Sequence, residues 1–409
     1  MVQKAPVLSE EVNMTSDVYS VYQKENMFSG GINPSSDSAE RLEKTAYTWS
    51  ALFEYAHLVN CFVVQRFIRQ IQEDMLVLRR ENSLEFTYDY QKKSSILIDG
   101  SITFTYRGKV YVYTASTERG FSSNTLTGSG DISELVEKIS HELRWNNPLR
   151  NRHIQIIPTR HGYECFFKKA PTLSLGEVVI DESIKEDILD QTILHFEAIE
   201  GNNGIILHGK PGTGKSLCCQ AIISEALMRG YSTCFLTSAG DYSLLNEFLL
   251  AYFAPCIVVL EDIDSFSESR SHSRNPDLSD FLQFLSGLSE SDEKIVFIGT
   301  TNHIEFLDEA IANRPVRFNR KYKFELPSPK EINRLVDLYF KDEVLTDAQK
   351  ALCHNKGFTG SHIKEVQRTA QILMHKRKTS LSNVFEEAVQ IVSQSFYIPE
   401  HKAGFRIDE

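Results

Sequence analysis

A chain of 409 residues, 41% hydrophobic and 24% charged, has the composition of a soluble globular protein of two or three domains with a sizeable core. Its formal net charge of −11 argues against nucleic acid as the main partner, because duplex binding relies on many Lys and Arg contacts to phosphate. The cysteines (Cys61, Cys165, Cys218, Cys219, Cys234, Cys256 and Cys353) are odd in number, show no C-x-x-C spacing and sit mostly in apolar runs, which reads as reduced, buried thiols rather than a disulfide framework.

Met1 to Glu11 has neither the apolar core of a secretory signal nor the arginines of a transit peptide, so a cytoplasmic location is expected. Residues 1–45 are rich in Ser, Asn, Asp and Gly and predict a flexible arm. Residues 46–80 read as a helical segment, with Leu52, Phe53, Leu58, Val59, Phe62, Val63, Phe67 and Ile68 at helical spacing between Tyr47 and Leu78. A membrane span needs about 20 predominantly apolar residues. Glu54, His57, Asn60 and Arg66 interrupt this run, which favours a packed or oligomer-forming helix over a membrane-associated one.

Over residues 81–172 the period changes to two. Leu84–Tyr88, Ile102–Tyr106 and Val110–Tyr113 alternate as strands, with Arg107-Gly108-Lys109 as a hairpin turn between the last two. Asp131 followed by Glu134 predicts a helix over Ile132–Leu143, and Ile154–Ile157 with Tyr163–Phe167 predicts a further strand pair. These elements make a small, β-rich α+β domain without a catalytic constellation.

Residues 173–327 alternate strands with helices, as a doubly wound parallel sheet of the α/β class requires. Gly204 to Ser216 contains G-x-x-x-x-G-K-[ST] at Gly209, Gly214, Lys215 and Ser216, a P-loop whose glycines turn backbone N–H groups around phosphate oxygens. A plain glycine turn is the bland alternative, disfavoured by the apolar run Ile205–Leu207 ahead and the helical pattern Leu217–Met228 behind. Gly209, Lys210, Pro211, Gly212, Thr213, Gly214, Lys215, Ser216 and Leu217 are thus expected to bind ATP, with Lys215 reaching the β and γ phosphates and Ser216 offering its hydroxyl to Mg²⁺. A second apolar strand, Cys256–Leu260, ends in Glu261 and Asp262. Glu261 is expected to hold the Mg²⁺ water shell, and Asp262 to orient or deprotonate the attacking water. A third, Ile295–Ile298, leads to Thr301-Asn302, where an amide at Asn302 is placed to hold that water. Arg314, Arg317 and Arg320 follow within seven residues, and guanidinium groups commonly stabilise a transferring phosphoryl group.

P-loop, acidic strand, Thr-Thr-Asn and Arg-Pro-x-Arg-Phe-x-Arg in this order resemble the AAA family of ring ATPases, from Leu173 to about Val392. The resemblance implies a C-terminal helical lid over residues 328–395, ahead of a tail at 396–409. It also implies assembly into homo-oligomeric rings of six or seven subunits, with Arg317 and Arg320 as arginine fingers acting on the neighbouring site. Gly360 and Ser361, in Gly357-Phe-Thr-Gly-Ser-His362, resemble the lid positions that meet the nucleotide. The order Glu261-Asp262, the β-rich module with Phe104–Lys109, and Val178–Asp181 are similar to the branch of the mitochondrial ATPase that assembles respiratory complex III. With no presequence and a poor membrane anchor, a soluble bacterial or viral relative is expected. The function implied is an ATP-hydrolysing machine that remodels, assembles or moves a protein client. An ATP-controlled assembly switch with slow turnover is the alternative, and a nucleic-acid-directed motor is disfavoured by the acidity. Tyr242, in the loop after the second strand, is a candidate pore aromatic, although the aromatic, apolar, glycine trio of threading relatives is missing.

Overall fold

The computed structural model describes residues 44–50, 54–73, 75–89, 92–118, 121–159, 162–198, 201–236, 245–246, 248–263, 294–305, 319–341 and 345–395. Arg314, Arg317 and Tyr242 lie outside them.

The N-terminal strands form an antiparallel sheet of β1 (Lys44–Ser50), β2 (Met75–Asp89), β3 (Lys92–Tyr106), β4 (Lys109–Glu118) and β5 (Phe121–Ser129), in spatial order β1-β5-β4-β3-β2. The expected turn joins β3 to β4, with Arg107 and Gly108 both at positive φ. The helix expected from Tyr47 to Leu78 is shorter, α1 (Glu54–Ile71), because strands take both of its flanks. Tyr47 pairs with Leu126 of β5 and Met75 with Phe104 of β3, so β-favouring aromatic and threonine residues found a sheet edge that helical periodicity does not reveal.

Along its described side chains α1 is buried on nearly every side, from Ala56 to Ile68. The polar residues that break its apolar run are the ones that dock it. His57 Nε2 lies 3.2 Å from the Ile98 carbonyl, and Gln65 both donates to the Leu97 carbonyl (2.7 Å) and accepts from the Leu97 amide (2.9 Å). α1 is therefore a packed helix, and no helix among the described residues is long and apolar enough to cross a membrane.

α2 (Ser133–Trp145) starts where Asp131 accepts from the Ser133 amide (2.9 Å). The strand pair that follows, β6 (His153–Thr159) and β7 (Gly162–Phe167), departs from expectation: it joins the large sheet rather than the small module. β6 pairs in parallel with β9 (Ser232–Leu236), His153 opposite Thr233, and buries Ile154 and Ile156 completely. The sheet thus runs across the boundary expected at residue 172, since two alternating isoleucines satisfy either sheet and only the open edge of β9 decides between them.

β8 (Asn203–Gly209), β10 (Cys256–Leu260), β11 (Ile295–Thr301) and β12 (Arg320–Phe324) complete the large sheet, in order β12-β8-β11-β10-β9-β6-β7, parallel except at β7. Helices cover both faces, so the inner strands read as unbroken apolar runs. Cys256, Val258 and Leu260 of β10 face a core shared with α1, α2 and the N-terminal sheet. Ile257 and Val259 face the other core, with α3 (Glu182–Leu189), α4 (His195–Ala198) and α5 (Lys215–Met228). A third core, around Val336, Phe358, Ile363 and Phe385, joins α6 (Pro329–Tyr339), α7 (Asp347–Asn355), α8 (Gly360–Arg377) and α9 (Phe385–Ser395).

The N-terminal module also grips the main chain just ahead of β10. Asn147 Nδ2 donates to the Tyr252 carbonyl (3.1 Å), Arg150 Nη1 to the carbonyls of Phe253 (2.5 Å) and Ala254 (2.8 Å), and the Tyr252 hydroxyl to Asn60 Oδ1 (2.8 Å). Hydrogen bonds to a charged group contribute roughly 1.5–3 kcal/mol each. Arg150→Ala is therefore expected to lower unfolding stability by about 2 kcal/mol or more in urea titrations. Arg368→Ala, which removes only an exposed partner 3.9 Å from Glu365, is expected to change it by less than about 1 kcal/mol.

Candidate functional site

Parallel pairing carries three strand ends to one edge of the large sheet. β11 lies between β8 and β10 with Thr301 opposite His208 and Gly299 opposite Leu260, so Gly209, Asn302 and the Glu261-Asp262 pair all emerge at the carboxyl edge, where α/β sheets form their ligand clefts.

Local backbone chemistry shapes the loop leaving β8. Gly209 has φ 146°, and a Cβ there would sit 2.1 Å from the Phe324 carbonyl oxygen of β12. Gly212 has φ 78°, and a Cβ there would meet Ser361 Oγ at 2.3 Å and Thr359 Oγ1 at 2.7 Å. Both positions need glycine because backbone conformation and neighbouring chain exclude a side chain. Gly214, also left-handed, ends the loop and starts α5.

Lys215, the first residue of α5, is 7% exposed, and its ammonium is held by three oxygens: the carbonyls of Gly209 (2.7 Å) and Lys210 (3.1 Å) and Asn302 Oδ1 (2.8 Å). The other end of the Asn302 amide donates to Asp262 Oδ1 (3.3 Å). Asp262 takes a left-handed backbone, φ 50°, pinned where its amide donates to Thr300 Oγ1 (3.0 Å) and the next amide to the Thr300 carbonyl (2.9 Å). A non-glycine residue at positive φ is uncommon and such strain gathers at functional sites, with Asp among the residues that tolerate it best. One polar network thus links P-loop, acidic strand and Asn302.

These groups open into a cavity of 890 Å³. Of the residues expected to bind nucleotide, Pro211, Gly212, Thr213, Gly214, Lys215, Ser216, Leu217, Gly360 and Ser361 line it, as do Asp262 and Asn302. Gly209 and Lys210 stand behind the loop, serving through the carbonyls that hold Lys215. Glu261 does not line the cavity; it is half-buried beside Cys219, whose thiol is pushed well up by burial first and then by the charges of Cys218 and Glu261. Arg320 stays out of its own chain's site. It opens β12 opposite Ile205, while Phe324 lies opposite Gly209, four residues or about 13 Å further along the strand. Its exposed guanidinium lies 4.0 Å from Asp187 Oδ2.

Several lining residues escaped the sequence reading as site residues. Val179 and Ile180 form an apolar wall ahead of α3, Thr300 pins Asp262, and Lys364 faces the cavity from α8. The available signal was an apolar run, Val178–Ile180, that belongs to no strand or helix. Lys364 and Thr300 carried none, being ordinary residues inside regular elements.

Gly212→Ala is expected to weaken binding of a fluorescent ATP analogue about tenfold or more, since a strained left-handed residue costs of order 1–3 kcal/mol before the clash with Ser361 is counted.

Residues 205–326 match the model of the family described as "ATPase family associated with various cellular activities (AAA)". An "AAA ATPase forming ring-shaped complexes" from Bifidobacterium dentium is 27% identical over 223 residues, 47% of this chain and 42% of that protein. An "ATP-dependent zinc metalloprotease FtsH" from Mycoplasma pneumoniae is 30% identical over 207 residues, 46% of this chain and 29% of that protein. An "ATPase family protein 2 homolog" from Caenorhabditis elegans is 26% identical over 301 residues, 67% of this chain and 40% of that protein. The chain therefore spans less than half the length of these relatives. A chain from the solved structure "Structural Basis for Katanin Self-Assembly" has a TM-score of 0.42 at 23% identity, covering 55% of this chain and 85% of its own.

Proposed function

We propose that this chain, whose residues 205–326 form an AAA domain, is an ATP-hydrolysing ring machine that remodels, assembles or moves a protein or protein complex. The observation that carries the reading is the network Lys215–Asn302–Asp262 at the carboxyl edge of the sheet, facing a cavity of nucleotide size. Phosphate groups entering the loop meet the amides turned inward at Gly212 and Gly214 and the N-terminus of α5, and draw the Lys215 ammonium from its carbonyl and amide partners. Asn302, so released, holds a water against the γ-phosphate. Asp262 takes that water's proton as its oxygen bonds to phosphorus and the bond to the β-phosphate oxygen breaks, leaving ADP and phosphate. Ser216, which lines the cavity, would offer its hydroxyl to Mg²⁺, and Glu261, set behind the cavity wall, would act on the ion through its water shell. The ion, when bound, neutralises charge on the phosphates.

Arg320 lies outside the lining of its own site, and Arg317 lies just ahead of it in the chain; both would act on the neighbouring subunit's site in a ring of six or seven copies. The similarity to the Bifidobacterium dentium AAA ATPase, which forms ring-shaped complexes, supports this reading. The order Glu261-Asp262 and the β-rich module ahead of the AAA domain favour a place near the branch of the respiratory complex III assembly ATPase, here as a cytoplasmic protein with a protein client.

Phosphate release tests the chemistry. Asp262→Asn is expected to bind ATP normally but hydrolyse it at least about a hundredfold more slowly, the range general-base removal commonly costs. Glu261→Gln is expected chiefly to raise the Mg²⁺ concentration needed for half-maximal rate. The opposite pattern would make Glu261 the base.

Subunit sharing is tested by mixing two inactive variants. Arg317→Ala keeps a sound P-loop, and Lys215→Ala keeps the finger but binds no ATP; an arginine finger is worth roughly 10³ to 10⁵ in rate. Each alone is expected to be nearly inactive, and the mixture to regain hydrolysis after subunit exchange. No recovery in rings shown by mass measurement to be mixed would reject the shared site.

A further inference from the structure

We infer that His362 is a positioning residue for nucleotide binding, because its imidazole sets the first turn of α8 against the P-loop glycine Gly212. The inference rests on the nucleotide site proposed above and deepens it.

A helix start commonly uses a capping box, in which the side chain of the third helical residue accepts the amide of the capping residue. Two lid helices follow this pattern with ordinary acceptors. Glu331 accepts from the Ser328 amide at 2.8 Å and Gln349 from the Thr346 amide at 3.0 Å. The third box, Thr359 to His362, puts an imidazole in that place, with Nδ1 accepting the Thr359 amide at 3.1 Å.

The direction of this bond determines the rest. An Nδ1 that accepts from a backbone N–H carries no proton, so the Thr359 hydroxyl, 2.8 Å away, must donate to it as well. Having spent its one hydrogen, that hydroxyl accepts from Ser361 Oγ at 2.9 Å. The relay Ser361–Thr359–His362 thus has one hydrogen arrangement. Its far end is the contact that closes on Gly212, whose missing side chain makes room for Ser361 Oγ and Thr359 Oγ1. Gly360 and Ser361 line the nucleotide cavity from this turn. The ring itself is held flat on Phe358, 5.3 Å between centroids and 22° between planes, and Phe358 is rooted in the lid core. Partial burial keeps the imidazole below its ordinary pKa, which favours the neutral ring, and the Thr359 amide selects the form with Nδ1 bare.

The test compares ATP hydrolysis and fluorescent ATP analogue binding across a small set of full-length variants. His362→Leu keeps bulk and loses the acceptor; KM and Kd are expected to rise about five- to tenfold, the usual scale of a lost cap, with kcat within about twofold. His362→Gln and His362→Glu restore an acceptor and are expected to bring KM back to within about twofold of the parent. Gln349→Leu removes the equivalent acceptor from the box of α7, away from the cavity, and is expected to lower the melting midpoint without moving KM. Thr359→Val takes out only the hydroxyl of the relay, so it keeps the test decisive if His362→Leu does not fold; a raised KM is expected there too. Unchanged KM in His362→Leu or Thr359→Val, failure of the Gln and Glu variants to restore it, or an equal shift in Gln349→Leu would overturn the role of His362. A parent protein that binds no ATP would instead overturn the nucleotide site on which it rests.

Discussion

Everything at the site depends on the parallel register of β11 between β8 and β10. Parallel strands point their carboxyl ends the same way, so three segments spread over nearly a hundred residues, at Gly209, Asp262 and Asn302, end in one hydrogen-bond network in which Asn302 joins the Lys215 ammonium to Asp262. A slip of one residue at β11 would turn Ile298 and Val296 to the wrong face of the sheet and carry Asn302 off Lys215. The burial of Val296 and Ile298 on one face and of Ile295 and Phe297 on the other is what holds the register, so the hydrophobic core and the site geometry depend on the same pairing.

Charge placement follows from that frame. Lys215 is almost wholly buried, which is tolerable for an ammonium only because three oxygens replace its water. Those oxygens are the partners that a phosphate in the loop would displace from Lys215. Asp262 stands in a strained left-handed conformation at the end of the same network, held there by Thr300. Strain at this point has a local cause, the turn forced on a chain leaving a buried strand, and a local benefit, a carboxylate aimed into the cavity rather than along the strand.

The two flanking units attach in different ways. The N-terminal module shares one continuous apolar core with the large sheet, and Asn147, Arg150 and Asn60 hold the carbonyls and hydroxyl just ahead of β10. The C-terminal helices have their own core and meet the P-loop through small groups, Ser361 and Thr359 against Gly212.

Motifs with a fixed local geometry were legible in advance. The P-loop, the strand that ends in Glu261-Asp262, the Arg107-Gly108 turn and the Asp131–Ser133 turn that opens α2 each depend on residues within a few positions of one another, so their local form was readable from the sequence. The burial of His57, Asn60 and Gln65, by contrast, reverses what their polarity suggests, because partners at Ile98, Tyr252 and Leu97 lie tens to hundreds of residues away. The same holds for the strand ends trimmed from α1, for β6 and β7 crossing to the large sheet, and for Thr300, Lys364 and Val179 at the cavity. Short alternating apolar segments satisfy either of two sheets, and a threonine inside a strand looks like any other. Only the tertiary structure, by supplying the open edge of β9, the face of β5 and the wall of the cavity, decided where each of them went.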